Sequence, residues 1–138
     1  MSGFFYLQSG GLMPGEYEIF VQDHFAASHA LRGYDGNWAD LHGHNWTVEA
    51  QIRCTRLNQL GIGIDYRDVK SVLRDVLGKL NHTRLNDVME FGNINPTSEN
   101  LAKFLYKEMG RRLNTDHIQV TQVKVYESPG CGAAYRQT

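Results

Sequence analysis

Three histidines, His29, His42 and His44, are placed so that their side chains can meet. His42 and His44 lie two residues apart in Leu41-His42-Gly43-His44-Asn45-Trp46. On a strand, alternate side chains share a face, so both imidazoles can reach one point. His29 ends the preceding run of alternating residues, and a turn between the two runs brings it alongside. Three neutral imidazoles suit Zn2+. A three-histidine set leaves the fourth tetrahedral position open, which is the pattern of catalytic rather than structural zinc. The alternative is a set of ordinary polar residues at a strand end. The chain has six histidines; of the others, His24 and His117 lack such company and read as surface or core residues.

The elements that must position these side chains follow from periodicity. Tyr17, Ile19 and Val21 alternate with Glu16, Glu18 and Gln22, a period of two that marks a half-buried strand running on to His29. Residues 32–40 hold Gly33, Asp35, Gly36, Asn37 and Asp40 and read as a loop. A second strand covers Leu41 to Ile52, with His42, His44, Trp46, Val48, Ala50 and Ile52 on one face. Gly61 and Gly63 mark a turn. Val69, Val72, Leu73, Val76, Leu77 and Leu80 then recur at helical spacing, with Asp65 as the N-cap. Pro96-Thr97-Ser98-Glu99 opens a second helix whose apolar stripe is Leu101, Phe104, Leu105 and Met109. Ile118 and Val120 have one parity and Val123 and Val125 the other, so the next region is two short strands or one bulged strand. A loop over residues 128–132 leads to a last strand near Tyr135. The order ββααββ indicates an α+β fold, an antiparallel four-stranded sheet with two helices on one face. Residues 1–15 read as an arm, and 16–138 as a single domain.

Composition narrows the functions available. At 138 residues, with 41% hydrophobic and 21% charged side chains, the chain can bury one real core and is not a disordered tail or a fibre. Fourteen basic and fifteen acidic residues give a net charge of −1, which argues against nucleic-acid binding by bulk charge. No apolar stretch is long enough to span a membrane, and no basic residue precedes an apolar N-terminal run as in a secretory signal. Two cysteines, Cys54 and Cys131, are too few for a disulfide framework. The expected compartment is the cytoplasm.

Six segments in order resemble the 6-pyruvoyl-tetrahydropterin synthase family. They are Phe25-Ala26-Ala27-Ser28-His29, Leu41-His42-Gly43-His44-Asn45-Trp46, Gly63-Ile64-Asp65-Tyr66, Leu80-Asn81-His82, Asn95-Pro96-Thr97-Ser98-Glu99 and Val125-Tyr126-Glu127. The resemblance spans about residues 16–136 and is strongest to the bacterial branch, the 6-carboxy-tetrahydropterin synthases of queuosine synthesis. It implies the tunnelling fold, assembly as trimers or stacked hexamers with intersubunit active sites, and 7,8-dihydroneopterin triphosphate as substrate. It implies that His29, His42 and His44 hold zinc, which binds the substrate's side-chain hydroxyls. It makes Glu127 the pterin anchor and Thr97 and Ser98 pterin-contacting residues. A carboxylate can accept paired hydrogen bonds from the N–H groups of the aminopyrimidinone ring.

Two positions depart from the family pattern, and both concern proton transfer. The family carries a cysteine four residues before the first histidine of His-x-His; here that residue is Trp38. An indole N–H only donates, so it cannot take a proton. The family pairs an aspartate with the histidine of Leu-Asp-His; here the pair is Asn81-His82. His82 remains as acid or base. Asp40 or Asp35, in the loop that carries Trp38, could supply a carboxylate base, and another branch of the family uses a carboxylate there. Cys131 reaching in, or a zinc-bound hydroxide, are further replacements. The expectation is a zinc-dependent lyase acting on 7,8-dihydroneopterin triphosphate or a related pterin. The alternatives are a catalytically impaired pterin-binding paralogue and a zinc enzyme of the same fold with a changed substrate.

Overall fold

The computed structural model describes residues 15–33 and 40–138. The arm expected over residues 1–15 lies outside them apart from Gly15, as do Asp35 and Trp38. Two long strands, β1 (Tyr17–His29) and β2 (His42–Cys54), pair antiparallel from Tyr17↔Cys54 to His29↔His42. Their burial alternates as the sequence pattern demands. Val21, Phe25, Ala27 and His29 of β1 and Trp46, Val48, Ala50, Ile52 and Cys54 of β2 are buried on one face. Helices α1 (Tyr66–Leu77) and α2 (Ser98–Leu113) cover that face. Val69, Leu73, Val76 and Leu77 of α1 and Leu101, Ala102, Leu105 and Met109 of α2 join the strand residues in one core.

Both helix starts carry the caps their sequences promise. The Asp65 carboxylate accepts from the Arg67 backbone N–H at 2.8 Å, and the Thr97 hydroxyl accepts from Asn100 N at 3.1 Å. Arg67 also binds the Asp65 carboxylate through its guanidinium, and these hydrogen bonds bring the Asp65 pKa down to about 2. Gly63, just upstream, has to be glycine, because a Cβ there would lie 2.5 Å from Cys54 Sγ.

β4 (Ile118–Ser128) pairs antiparallel with β2, and β5 (Cys131–Tyr135) pairs antiparallel with β4. The parity change between Val120 and Val123 is one bulged strand. Gln51 faces Gln122 and Ile52 faces Val120, which leaves Thr121 as the extra residue. A second irregularity follows on the β5 side. Tyr126 faces Gly132 and Ser128 faces Cys131, which leaves Glu127 unmatched.

The four-strand expectation needs one correction. Among the described residues the sheet has five strands, because β3 (Thr83–Arg84) pairs parallel with Ala27 and Ser28, giving the order β3-β1-β2-β4-β5. Two residues are too few to display an alternation. Their position is set from outside: the Asn81 side-chain oxygen accepts from Ala26 N at 3.0 Å, and His82 N donates to Ala26 O at 2.6 Å.

Candidate metal centre

The β1–β2 register explains how three histidines separated in sequence come together. His29 and His42 are direct cross-strand partners, and His44 faces Ala27 one diagonal step away. Directly opposed side chains in an antiparallel pair are neighbours on the same face. Accordingly, the ring centroids of His29 and His42 are 4.6 Å apart, those of His42 and His44 4.8 Å, and those of His29 and His44 5.4 Å. Trp46 closes the site from below. It is fully buried, its centroid is 4.9 Å from that of His29, and its indole N–H donates to Ala27 O at 3.2 Å.

Glu127 completes the group. One donor atom from each of His29, His42, His44 and Glu127 fits within a sphere of mutual distances no greater than 4.8 Å. Glu127 Oε2 is 3.2 Å from His44 Nε2, and Oε1 is 3.9 Å from His29 Nε2.

The protonation of the rings can be read from their other nitrogens. His29 Nδ1 is 2.7 Å from the Pro96 carbonyl, and His42 Nδ1 is 3.0 Å from the Asp40 carbonyl. A carbonyl oxygen has no proton to give, so both Nδ1 atoms donate. In the neutral rings the Nε2 atoms then carry the lone pairs, the arrangement that outer-shell carbonyls impose on metal-ligating histidines. His29 is held toward the neutral form because burial lowers its pKa, with the nearby His42 and His44 adding to the effect against raising contributions from the Pro96 hydrogen bond and the Glu127 carboxylate. His29 Nε2 and His44 Nε2 are buried and have no hydrogen-bond partner. Buried polar atoms left unpaired cost free energy of about 1–3 kcal/mol each. A cation placed between these nitrogens and the carboxylate removes that cost. The donor set, three imidazole nitrogens and one carboxylate oxygen, therefore fits Zn2+.

A shell of side-chain amides holds this geometry. Asn86 accepts from Ala30 N at 2.9 Å and donates to Ala30 O at 2.8 Å. Asn95 does the same for Arg32, at 2.7 Å and 3.0 Å. Two asparagines thus act as a substitute strand for the backbone just after His29. Arg32 closes the arrangement by donating to the carbonyls of Phe91 at 2.8 Å and Ile94 at 2.9 Å. Asn95 is also the residue before Pro96, whose carbonyl orients His29. Replacing Asn95 with alanine should therefore cost about 1–3 kcal/mol of stability, which thermal melts measure.

The remaining sequence candidates are more dispersed. Asp40 is exposed, and its backbone carbonyl is the one that His42 Nδ1 contacts. His82 is exposed and has φ of 60°, a left-handed backbone for a non-glycine residue. Such conformations cost about 1–3 kcal/mol and concentrate at functional positions. Asn81 uses its side-chain oxygen on Ala26 N, which ties the His82 turn to β1. Thr97 caps α2, and Ser98 beside it is buried. His24 is exposed, and His117 Nδ1 lies 2.7 Å from Asp116 Oδ1. Cys131 is exposed and Cys54 buried, both free thiols. Sequence reasoning did not place Glu127 among the metal donors, and it missed the Pro96 carbonyl and the two asparagine clamps.

The fold is an α+β sheet whose helix-covered side carries three histidines and a carboxylate that could hold a metal ion. Residues 18–138 match the family model described as 6-pyruvoyl tetrahydropterin synthase, and the chain belongs to that family. A 6-carboxy-5,6,7,8-tetrahydropterin synthase of Bacillus subtilis is 28% identical over 89% of this chain and 87% of its own. A dihydroneopterin monophosphate aldolase of Pyrococcus furiosus is 28% identical over 79% of this chain and 88% of its own. The fold is that of the Caenorhabditis elegans 6-pyruvoyl tetrahydropterin synthase, with a TM-score of 0.79 at 22% identity, covering 90% of this chain and 97% of that one. Among the described residues no helix is long and apolar enough to cross a membrane.

Proposed function

We propose that this chain is a zinc-dependent lyase acting on 7,8-dihydroneopterin triphosphate or a closely related dihydropterin, in the manner of a 6-carboxy- or 6-pyruvoyl-tetrahydropterin synthase. The observation that carries the proposal is the convergence of His29, His42, His44 and Glu127, with two buried Nε2 atoms lacking hydrogen-bond partners. His29, His42 and His44 would hold the zinc. Bound there, the ion supplies Lewis acidity to the substrate's side-chain hydroxyls, lowering their pKa values. Glu127 would accept N–H groups of the aminopyrimidinone ring, and Thr97 and Ser98, at the start of α2, would contact the pterin as their counterparts in the family motif do. With Trp38 in the family's cysteine position, the side-chain proton goes to another base, and Asp40 is the carboxylate nearest in sequence to His42. His82 serves as the second acid or base, and Asn81 positions its turn.

The active unit is a homo-oligomer, a trimer or hexamer with sites between subunits, working in the cytoplasm without nucleic acid or membrane. Supporting this, β5 is one sheet edge, and β1 near the other is paired by β3 only at Ala27 and Ser28. Phe20, on the sheet face away from the helices, is 62% exposed. Open edges and an exposed aromatic are what pairing with further copies covers.

The test is mass spectrometry of products after incubating zinc-loaded protein with 7,8-dihydroneopterin triphosphate, with triphosphate and acetaldehyde assayed alongside. A 6-carboxy- or 6-pyruvoyl-tetrahydropterin is expected, and product no greater than in the metal-free control refutes the proposal. A second reading, the same centre with a changed substrate, is supported by the Pyrococcus relative named for aldol cleavage of a monophosphate. Running 7,8-dihydroneopterin monophosphate in parallel separates the two. Substrate bound but returned unchanged would instead favour a pterin-binding paralogue.

A further inference from the structure

Both oxygens of Glu127 point at the histidine cluster. We infer that in the ligand-free protein Glu127 is the fourth ligand of the metal, and that the substrate must draw it off: one carboxylate serves the ion in one state and the pterin ring in the other. The inference rests on the zinc reading above and adds to it that the centre is closed at rest.

Ligand spacing is the first support. Two atoms at about 2.0–2.1 Å from one tetrahedral zinc ion lie about 3.3 Å apart. Glu127 Oε2 and His44 Nε2 meet that spacing at 3.2 Å; Glu127 Oε1 and His29 Nε2 are 3.9 Å apart and the four donors span up to 4.8 Å, so an ion would draw them together. Neither nitrogen has a well-aligned hydrogen-bond partner, and the 3.2 Å approach of His44 Nε2 to Glu127 is an ion pair when that ring is protonated. For His29 the Pro96 carbonyl has already claimed the Nδ1 proton, so in the neutral ring a lone pair faces a carboxylate. Lone pair against carboxylate is repulsive unless a cation stands between them. With four donors converging, a metal ion meets that need for all of them at once.

The backbone of Glu127 is the second support. It is the unmatched residue between the pairs Tyr126↔Gly132 and Ser128↔Cys131. On the other side it is the first residue past Thr47↔Tyr126, where pairing with β2 ends. Bulges re-aim a side chain and leave its residue out of the ladder. Glu127 can therefore swing without breaking regular strand pairing. Its side chain is 37% exposed, against 2% for His29, so an incoming ligand reaches the carboxylate before it reaches the buried histidine.

The two roles exclude each other. Paired acceptance from the pterin N–H groups uses both oxygens, and both now face the metal donors. Four protein ligands are the closed pattern, and three with an open position the catalytic one. A ligand that offers paired N–H donors would thus open the metal position as it binds, and one without them would leave it closed. Recognition of the ring and exposure of the ion become a single event.

The experiment compares wild-type protein with Glu127→Gln and Glu127→Ala, using metal alone. Zinc affinity is measured by chelator competition, and the visible spectrum of the Co2+-loaded protein reports coordination. Circular dichroism establishes that each variant is folded, and Glu127→Gln is close to isosteric should the alanine variant fail. The expected result is zinc binding weakened at least about tenfold in both variants and a changed Co2+ spectrum without any pterin present. Affinity within threefold of wild type and an unchanged spectrum would overturn the inference while leaving the three-histidine zinc site intact. Wild-type protein that takes up no zinc would overturn the zinc reading itself, and this inference with it.

Discussion

Alanine in place of His44 lowers zinc affinity by more than about 100-fold, beyond the 10–100-fold that loss of an outer-shell partner costs, and product formation falls with it. His44 lies on β2 two residues from His42, and its ring is edge-on to Trp46 with centroids 5.4 Å apart. Truncation removes one donor and exposes the flank of a buried indole. It also removes the nitrogen that lies 3.2 Å from Glu127 Oε2. The fold should tolerate the change, because His44 is only half-buried and its backbone pairing with Ala27 does not depend on the ring. The measurement is zinc stoichiometry and affinity, followed by turnover at saturating zinc. If turnover persists in zinc-free His44→Ala protein, the reaction does not use this centre. If affinity falls but saturating zinc restores full turnover, His44 holds the ion without shaping the chemistry.

Much of this centre could be read from sequence because strand periodicity carries it. His42 and His44 share a face with Trp46, Val48 and Ala50 by the rule of two, and His29 ends the strand that pairs with theirs. The helix starts were legible for a similar reason, since Asp65 and Thr97 act within three residues of themselves. What was not legible depends on contacts across the chain. Asn86 clamps Ala30 from 56 residues away and Asn95 clamps Arg32 from 63. An asparagine in a loop reads as turn chemistry, and nothing local says that it imitates a strand. Glu127 is a subtler case. Its resemblance to a pterin anchor was visible, but its approach to the metal donors depends on a bulge that exists only once β5 pairs with β4. The two-residue β3 was missed because it is held by Asn81 and His82 rather than by a pattern of its own.

Restoring the family's proton-transfer pair, Trp38→Cys together with Asn81→Asp, raises turnover by about tenfold or more, a part of the 10²–10⁴ that a positioned base contributes over none, because the thiolate takes over from Asp40. The two positions act for different reasons. At 38 the change replaces a group that can only donate with one whose thiolate can accept a proton. At 81 it keeps what the structure uses, because an aspartate oxygen can still accept from Ala26 N as the asparagine oxygen does at 3.0 Å. The carboxylate would keep the turn that carries His82 tied to β1. The single variants divide the effect. Trp38→Cys alone should supply most of the gain in kcat, and Asn81→Asp alone should add less, because its oxygen is already engaged with Ala26 N. A double variant no faster than the parent means the parent already has an effective base. Asp40 is then the residue to test, and Asp40→Asn should remove about 10²-fold or more from a rate that Trp38→Cys could not improve.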